Sequence, residues 1–462
     1  MKTIILNFLS LLRRFKMATL LNILGLSVAF AAFMILMMQV LYEWGYDRFH
    51  KNTACLYRLE LTSGNGEAMA ALPRPLIDEF IVSSPHIKNG ALLYDLSWEG
   101  GRNVAVLSGA ERIGYQATYM NVYPTYPQVF NFKMLEGDLL ALNEPDKVLI
   151  PVSLARKLFP DNQAVGQYFI GDELQAEIGG VYQDFPENTI VKNAVYQKIS
   201  DKEGADSWQD RNYQAYILVD DPDNIPQILS NYKSNYMNDL SYWEGQDLRL
   251  THLPDIYYLT DLMFDADNRK GNKIQILILF CIAILIIVIA AINFINFNNA
   301  LCPVRLKGIN TQKVLGCSVK VLRISILFEA ILICFLSFCL SICLIYLLSN
   351  TTFADIVSGG IHISMNITLI IGTGVFALLT GMIAGCWPAW YITSFQPAMA
   401  LKGNFGLSPK GRGLRNILVS TQFVVSFILI IGAVFINLQN SFMNHSSLGF
   451  DQDQIAIIKL NK

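Results

Sequence analysis

The sequence predicts a membrane α-helical fold with about five transmembrane helices and one large mixed α/β extracytoplasmic domain between the first and second spans. Hydrophobic residues make up 53% of the 462 residues and charged residues only 16%, whereas soluble domains are nearer a quarter charged. Five apolar runs also reach the roughly 20 residues that a helix needs to cross the hydrocarbon core. They are residues 17–42, 274–297, 324–348, 367–391 and 417–438.

Charge predicts how these spans are oriented. Residues 45–273 contain 20 Lys and Arg against 32 Asp and Glu. The short segments before the first apolar run, between the second and third runs and between the fourth and fifth runs contain basic residues and no acid. These basic residues are Lys2, Arg13, Arg14 and Lys16; Arg305, Lys307, Lys313, Lys320 and Arg323; and Lys402, Lys410, Arg412 and Arg415. The positive-inside rule then predicts a cytoplasmic N-terminus and an external acidic domain.

The first apolar run could also be a secretory signal, because it follows basic residues and contains Ala29, Ala31 and Ala32. The run continues through residues 34–41, beyond a cleavage point after these alanines, and it exceeds the usual 7 to 15 residues of a signal. An uncleaved anchor is the better interpretation.

The segment 45–273 is long enough to bury its own core. Alternating apolar and polar residues predict paired strands at 103–107 and 111–117, and a short helix at 152–159 should follow a strand at 147–150. Turn signals occur at Asn65-Gly66, Gly100-Gly101, Gly179-Gly180 and Asp221-Pro222. Cys55 is the only cysteine of this segment, so an internal disulfide is excluded.

Motifs for catalysis are absent from the sequence. There is no Gly-x-x-x-x-Gly-Lys-Ser/Thr loop for ATP phosphates and no His-Glu-x-x-His, and the five histidines are widely scattered. Cys302 and Cys317 lack the spacing of a zinc site. We therefore predict no catalytic residue, metal or cofactor.

The basic segment between the second and third apolar runs predicts a short helix. Pro303 suits a first helical position and Gly316 a C-cap. Leu306 and Ile309 share one face of this helix, and Arg305, Lys307 and Lys313 supply positive charge. Such a helix could rest on anionic lipid or dock on a protein partner, and the residues alone leave both open.

Two features inside the spans are also candidates. Glu329 lies near the start of the third apolar run, where an acid is costly, so we expect it to avoid lipid by reaching the interface or pairing with a base such as Arg323. The fourth run contains small residues at every fourth position, which form one ridge for close helix packing. They are Thr373, Ala377, Gly381, Gly385 and Ala389.

Further segments along the whole chain carry a family resemblance. They are 46–52 with Tyr57-Arg58, 130–132 with 136–138, 154–159, 180–186, 292–297, 313–318 with Phe328-Glu329, 387–390 with Gln396-Pro397, 401–403 and Gln422-Phe423. In this order they resemble the FtsX/MacB-like ABC transporter permeases. The sequence differs from the family's usual pattern at Gly308, Asn310 and Gln312.

The resemblance implies a permease subunit in the bacterial inner membrane that does not itself hydrolyse ATP. A separate ABC ATPase would contact Arg305, Leu306, Lys307, Ile309, Lys313, Leu315 and Gly316. The movement of that ATPase would be transmitted across the membrane to the periplasmic domain, for export or for mechanotransmission. Further implied partners are membrane lipid, an envelope protein or peptide, and either a second permease copy or a missing C-terminal half; nucleic acid is not among them.

These interpretations divide the chain into ten segments. They are the cytoplasmic N-terminus with the first transmembrane helix (1–44), the periplasmic MacB-like domain (45–273), the second transmembrane helix (274–299), the cytoplasmic coupling segment (300–322), the third transmembrane helix (323–349), a periplasmic loop (350–365), the fourth transmembrane helix (366–392), a cytoplasmic basic linker (393–415), the fifth transmembrane helix (416–438) and the start of a second periplasmic domain (439–462). The alternative function is an ATPase-independent membrane sensor or scaffold whose external domain binds an envelope partner. The substrate is left open.

Overall fold

The computed structural model describes residues 16–63, 68–96, 102–108, 111–160, 163–171, 175–236, 246–260, 262–263, 269–394 and 409–446. The chain separates into two compact units. One consists of the residues up to Tyr42 together with those from Ile274 to Ile457, and it is helical. The other, Glu43–Lys273, lies between the first and second spans in the sequence, and we refer to it as the inter-span domain.

Helices occur in both units. They are α1 (Lys16–Trp44), α2 (Arg74–Val82), α3 (Tyr126–Val129), α4 (Val152–Leu158), α5 (Ile225–Tyr236), α6 (Leu253–Ile256), α7 (Lys273–Val314), α8 (Val319–Ser349), α9 (Ile367–Ser394) and α10 (Pro409–His445). Five of them, α1, α7, α8, α9 and α10, are long and apolar enough to cross a membrane. The predicted fold class, five apolar helices around one mixed α/β domain, is confirmed.

Strands are confined to the inter-span domain among the residues that the structure describes. They are β1 (Leu56–Ser63), β2 (Ala68–Met69), β3 (Leu72–Pro73), β4 (Ile87–Asp95), β5 (Arg102–Ser108), β6 (Glu111–Ala117), β7 (Tyr119–Val122), β8 (Met134–Gly137), β9 (Lys147–Pro151), β10 (Tyr168–Gly171), β11 (Gln175–Tyr182), β12 (Val195–Lys198), β13 (Arg211–Val219), β14 (Gln246–His252) and β15 (Leu262–Met263). The main path through the sheet is β15-β2-β1-β13-β4-β7-β12-β9-β11-β10-β5-β6, with β14 on β1, β3 on β13 and β8 on β11.

Both faces of the sheet are covered, because successive residues of a strand point to opposite faces. In β4, Leu92 contributes to a core with Phe80 of α2 and Tyr232 of α5. Its neighbours Ala91 and Leu93 contribute to a second core, which contains the aromatic side chains of Tyr126, Phe130, Tyr182, Tyr196 and Tyr216. The middle of the sheet is therefore buried on both sides.

The local sequence signals had mixed outcomes. The predicted strand pair at 103–107 and 111–117 is the antiparallel pair β5 and β6, and the helix predicted at 152–159 is α4, directly after β9. The turn at Gly179-Gly180 is wrong, since both glycines lie within β11 beside a register shift. A methyl group on Gly180 would lie 2.9 Å from the side chain of Leu149, so glycine here permits close packing. The turns at Asn65-Gly66 and Gly100-Gly101 lie outside the described residues.

Four of the long helices share one apolar core in the helical unit. It contains Phe30 and Met34 of α1, Phe294 of α7, Ile333 of α8 and Ala377 of α9, with other residues of the same helices. In α10, none of the residues whose burial is described is buried. Of the segment 439–462, expected to begin a second external domain, the residues up to His445 belong to α10, and those from 447 onward lie outside the described residues.

A buried charge network ties β1 to β14. Glu60 is fully buried, and its carboxylate accepts hydrogen bonds from Arg58 Nη2 at 2.8 Å, Arg249 Nε at 2.9 Å and Thr251 Oγ1 at 2.7 Å. Arg58 is itself only 1% exposed. Since a charge taken out of water is stable only when it is paired and hydrogen-bonded, Glu60 and Arg58 stabilise each other in the core, and Arg249, whose side chain is 44% exposed, adds a second cation from β14.

We predict that Glu60→Leu destabilises the protein by about 3–5 kcal/mol, because the buried Arg58 would lose its ion pair and both hydrogen bonds to Glu60. Denaturant unfolding of the purified chain in detergent measures the loss. The control is Lys198→Met, which breaks an ion pair whose Asp201 is 80% exposed and should cost at most about 1 kcal/mol. Equal stability of the two variants would contradict a structural role for the network.

Candidate functional site

The basic segment after the second apolar run is a direct continuation of that span. Helix α7 runs without interruption from Lys273 to Val314, and Pro303 lies inside it. The prediction that Pro303 begins a separate helix is therefore wrong. Proline lacks an N–H, so the Asn299 carbonyl loses its donor four residues on, a loss that helices in membrane proteins tolerate where neighbouring groups compensate. Position along the sequence alone does not separate a helix-starting proline from an internal one.

The end of α7 is set by Gly316. This residue has a φ of +91°, its N–H donates to the Lys313 carbonyl, and the Cys317 N–H donates to the Gln312 carbonyl, both at 3.0 Å. That pair of hydrogen bonds is the Schellman motif, which suits glycine because it has no Cβ. Helix α8 then begins after Ser318, whose hydroxyl caps the Val321 N–H. The prediction of a glycine C-cap is confirmed.

The apolar face of this segment is buried within the helical unit. Leu306 is 2% exposed and packs with Cys302, Ile326, Ala389 and Ile392, which belong to α7, α8 and α9. Ile309 is half-buried against the same residues. The expectation that Leu306 is an apolar contact for a partner is therefore wrong for this arrangement, because its side chain already fills the core.

Arg305 lies beside this core and forms an ion pair with Glu329. Arg305 Nη2 is 2.7 Å from Glu329 Oε1, and the two side chains are 8% and 13% exposed. The pair links α7 to α8. Glu329 was expected to reach the interface or to pair with a base such as Arg323; it pairs with a base, but that base is Arg305 of the neighbouring helix, while Arg323 donates to Thr393. The side chain of Lys307 lies outside the described part of the structure.

Two further cations of the segment bind the last turn of α9. Lys313 Nζ donates to the backbone carbonyl of Thr393. Arg323 Nε donates to the Thr393 hydroxyl at 2.9 Å, and its guanidinium lies 4.0 Å from the ring centroid of Trp390. Carbonyls at a helix C-terminus carry partial negative charge and attract cations. Lys313, expected to face a partner, therefore joins the end of α7 to the end of α9.

The exposed apolar side chains at the end of the segment are those of Val314 and Leu315. We refer to residues 314–316 as the tip. Val314 is 68% exposed and Leu315 is 81% exposed, so two adjacent apolar side chains stand free at the turn between α7 and α8. The sequence placed Leu315 and Gly316 in the candidate site, but periodicity gave no reason to prefer them to Leu306. The exposed fraction of the residue distinguishes Leu315, at 81%, from Leu306, at 2%.

The small-residue ridge of α9 faces α8. Thr373, Ala377, Gly381, Gly385 and Ala389 are all buried. A methyl group on Gly381 would lie 2.7 Å from Ile331 Cα, and one on Gly385 would lie 3.0 Å from Ala330 Cβ. The two backbones thus approach too closely for a larger side chain at Gly381.

Within the described residues, no group of His, Cys, Asp or Glu is arranged to hold a metal ion.

Two domain families match the chain. The MacB-like periplasmic core domain matches residues 19–233, and the FtsX-like permease C-terminal domain matches residues 280–397. None of the curated proteins matches the chain. These two matches cover the inter-span domain up to residue 233 and the helices that form the candidate site.

Solved structures similar to this chain include three domains of other proteins. A domain of a protein described as a permease, from Porphyromonas gingivalis, is 16% identical with a TM-score of 0.37 and covers 50% of this chain and 99% of its own. The periplasmic region of MacB from Actinobacillus actinomycetemcomitans is 13% identical with a TM-score of 0.31 and covers 43% and 90%. The extracellular domain of the noncanonic ABC-type transporter YknZ from Gram-positive bacteria is 12% identical with a TM-score of 0.28 and covers 42% and 99%.

The five apolar helices, with the FtsX-like match over the second to fourth of them, define a multi-pass membrane protein of the permease class. Together with the MacB-like domain, they support a MacB/FtsX-like ABC transporter permease. The resemblance seen in the sequence is confirmed.

We predict that Gly381→Leu disrupts the packing of α9 on α8, because its side chain would overlap the backbone at Ile331. The control is Leu379→Ala, because Leu379 is 46% exposed. Thermal unfolding of the detergent-purified protein should show a loss for Gly381→Leu and little change for Leu379→Ala. If both variants keep the melting temperature of the original protein, the ridge does not hold the helices together.

A second prediction concerns Arg305 and Glu329. Breaking a buried pair from one side costs about 3–5 kcal/mol, so Arg305→Gln and Glu329→Gln should each destabilise the chain, while the double variant should lose less than the sum. A double-mutant cycle on denaturant unfolding measures the coupling. The exposed pair Lys233 and Asp247, with side chains 44% and 55% exposed, is the control and should give at most about 1 kcal/mol. Additive effects at Arg305 and Glu329 would contradict the pairing.

Proposed function

We propose that this permease transmits the movement of a separate ABC ATPase across the bacterial inner membrane to its inter-span domain, for export or for mechanotransmission. Permeases of the MacB/FtsX-like families work with separate ABC ATPase subunits. The observation that supports the docking position is the tip, where Leu315 is 81% exposed beside Val314. Apolar side chains that the rest of the chain leaves uncovered at a turn are suited to a protein contact.

The tip is mechanically connected to three spans. Leu306 packs against α8 and α9, Arg305 pairs with Glu329 of α8, and Lys313 binds the end of α9. A push on Leu315 would therefore be distributed over the second, third and fourth spans as one body. This arrangement supports transmission of force better than a loop lying free on lipid would.

The orientation in this proposal comes from charge. The segments that flank the tip hold Arg305, Lys307, Lys313, Lys320 and Arg323 without an acid, which favours the cytoplasm. The inter-span domain has an excess of acid and would face the periplasm. The N-terminus would then be cytoplasmic.

An energetic condition follows from this mechanism. Binding of the ATPase shifts the permease between two conformations only by the difference in its affinity for them. A change from 1:99 to 99:1 needs a difference of about 5.5 kcal/mol, or 10⁴-fold. A contact at the tip can supply that difference only if the tip is positioned differently in the two states.

We predict that Leu315→Asp greatly weakens binding of the ATPase, because a charge would replace an apolar side chain at the contact. Affinity purification of the chain from its own cells, followed by detection of the nucleotide-binding subunit, measures this. The control is Met365→Asp, which is 75% exposed in the loop between α8 and α9. Met365→Asp should leave the amount of copurified nucleotide-binding subunit unchanged.

A nucleotide-binding subunit that copurifies equally with Leu315→Asp and with the original chain would exclude the tip as the docking position. Failure of any such subunit to copurify with the original chain would favour the sensor or scaffold function instead.

A further inference from the structure

Two of the segments that carry the family resemblance meet the residues that follow β11 at one place in the inter-span domain. They are Tyr46–His50, which comes soon after α1, and the Phe130–Phe132 turn. We refer to residues 185–194, between β11 and β12, as the strap. Residues of Tyr46–His50 form hydrogen bonds with the strap.

Asp47 makes the central contacts with the strap. It is fully buried, its N–H donates to the Asn188 carbonyl at 3.0 Å, and its carboxylate accepts from the Thr189 hydroxyl and from the Ile190 N–H at 3.1 Å. Its φ is +56°, a left-handed conformation that is uncommon for a residue with a side chain. Such a conformation persists only where the surroundings hold it.

Two residues near Asp47, Tyr46 and His50, also contact the strap. Tyr46 donates its hydroxyl hydrogen to the Thr189 carbonyl at 3.1 Å. His50 has one ring nitrogen 3.3 Å from the Thr189 hydroxyl and the other 3.3 Å from the Phe130 carbonyl. Thr189 thus contacts three residues of the segment that leaves the first span, and it also accepts from the Val191 N–H at 3.1 Å.

The other end of the strap reaches the centre of the sheet. Lys192 Nζ is 2.7 Å from Asp95 Oδ2, with side chains 36% and 8% exposed. Asn193 and Phe185 exchange two hydrogen bonds, at 2.8 and 2.9 Å, which close the strap into a loop. Only two residues separate Thr189 from Lys192, so the two ends cannot move far independently.

Lys192 and Asp95 stand beside a cavity on the face of the sheet. The residues that line the cavity include Arg58, Asp95, Gln214, Ile190 and Lys192. Its volume of about 20 Å³ has room for about one water molecule. Two residues of the strap, Ile190 and Lys192, form part of its wall, so displacement of the strap would enlarge it.

We propose that the strap is a gate: movement of the segment after the first span, received by Asp47 and Thr189, separates Lys192 from Asp95 and opens this cavity. The inference rests on the proposed function for the source of the movement. The physical link itself lies entirely within the inter-span domain.

The first test uses the full chain in nanodiscs without an ATPase and follows hydrogen exchange. Thr189→Val keeps the shape of the side chain but removes its hydroxyl. Exchange should rise by about fivefold or more at residues 188–194 and also at residues 93–95 of β4. The control is Thr62→Val, which removes one hydrogen bond to the Asp247 carbonyl and should leave both regions unchanged.

The reciprocal variant is Lys192→Met, at the far end of the strap. Because coupling between two sites acts in both directions, it should raise exchange at Asp47, whose N–H donates to the Asn188 carbonyl at the other end of the strap. If Thr189→Val affects only residues 188–190 and Lys192→Met affects only residues 190–194 and β4, the two ends are independent and the gate is excluded. This result does not depend on whether an ATPase binds.

The second test adds the copurified ATPase, with ADP or with a non-hydrolysable ATP analogue. Exchange at residues 191–194 should differ between the two nucleotides in the original chain and not in Thr189→Val. An ATPase that binds the tip while the strap exchanges equally in both nucleotide states would exclude the gate and leave the proposed function standing. An ATPase that does not bind would contradict the proposed function, and the first test would still decide the gate.

Discussion

The close approach of α8 and α9 is the contact on which the rest of the helical unit depends. Lipid tails are as apolar as leucine, so helices in a membrane gain little from hydrophobic burial and associate through close packing instead. Gly381 and Gly385 permit that packing because a methyl group on either would lie about 3 Å from the facing helix. One helical turn further on, the same contact brings Ala389 and Ile392 against Ile326 and Leu306. The candidate site is thus built on a backbone contact in the span.

The positive charges at this end of the spans serve two purposes. In the sequence, Arg305, Lys313 and Arg323 indicate which side faces the cytoplasm. In the structure each of them also holds two helices together, Arg305 through Glu329 and the other two through Thr393. A basic segment that is locked onto its own spans differs physically from one that rests on lipid. It leaves the tip as an exposed apolar part of the segment.

The inter-span domain follows the same principle with different groups. Its buried charges are paired, as Glu60 is with Arg58 and Arg249, because an isolated charge in a core is costly. The Asp47 carboxylate is likewise satisfied by hydroxyl and backbone donors of residues far away in the sequence. A polar group in such a position specifies one arrangement of two segments, since any other arrangement would leave it unsatisfied. That specificity is what makes the strap a candidate for transmission.

The family was indicated by the resemblance of ordered segments along the chain. The residue pattern by itself determined the five apolar helices, the position of the inter-span domain, the β5 and β6 pair, the α4 helix and the glycine C-cap. These features follow from periodicity, from length and from local backbone preferences, all of which act over a few neighbouring residues. Only the tertiary structure decided that Pro303 lies inside α7, that Leu306 is buried while Leu315 is exposed, and that Arg305 rather than Arg323 pairs with Glu329. The face of a helix that meets another helix, and the charge that meets a given carboxylate, depend on contacts between residues distant in the chain, which local pattern does not encode.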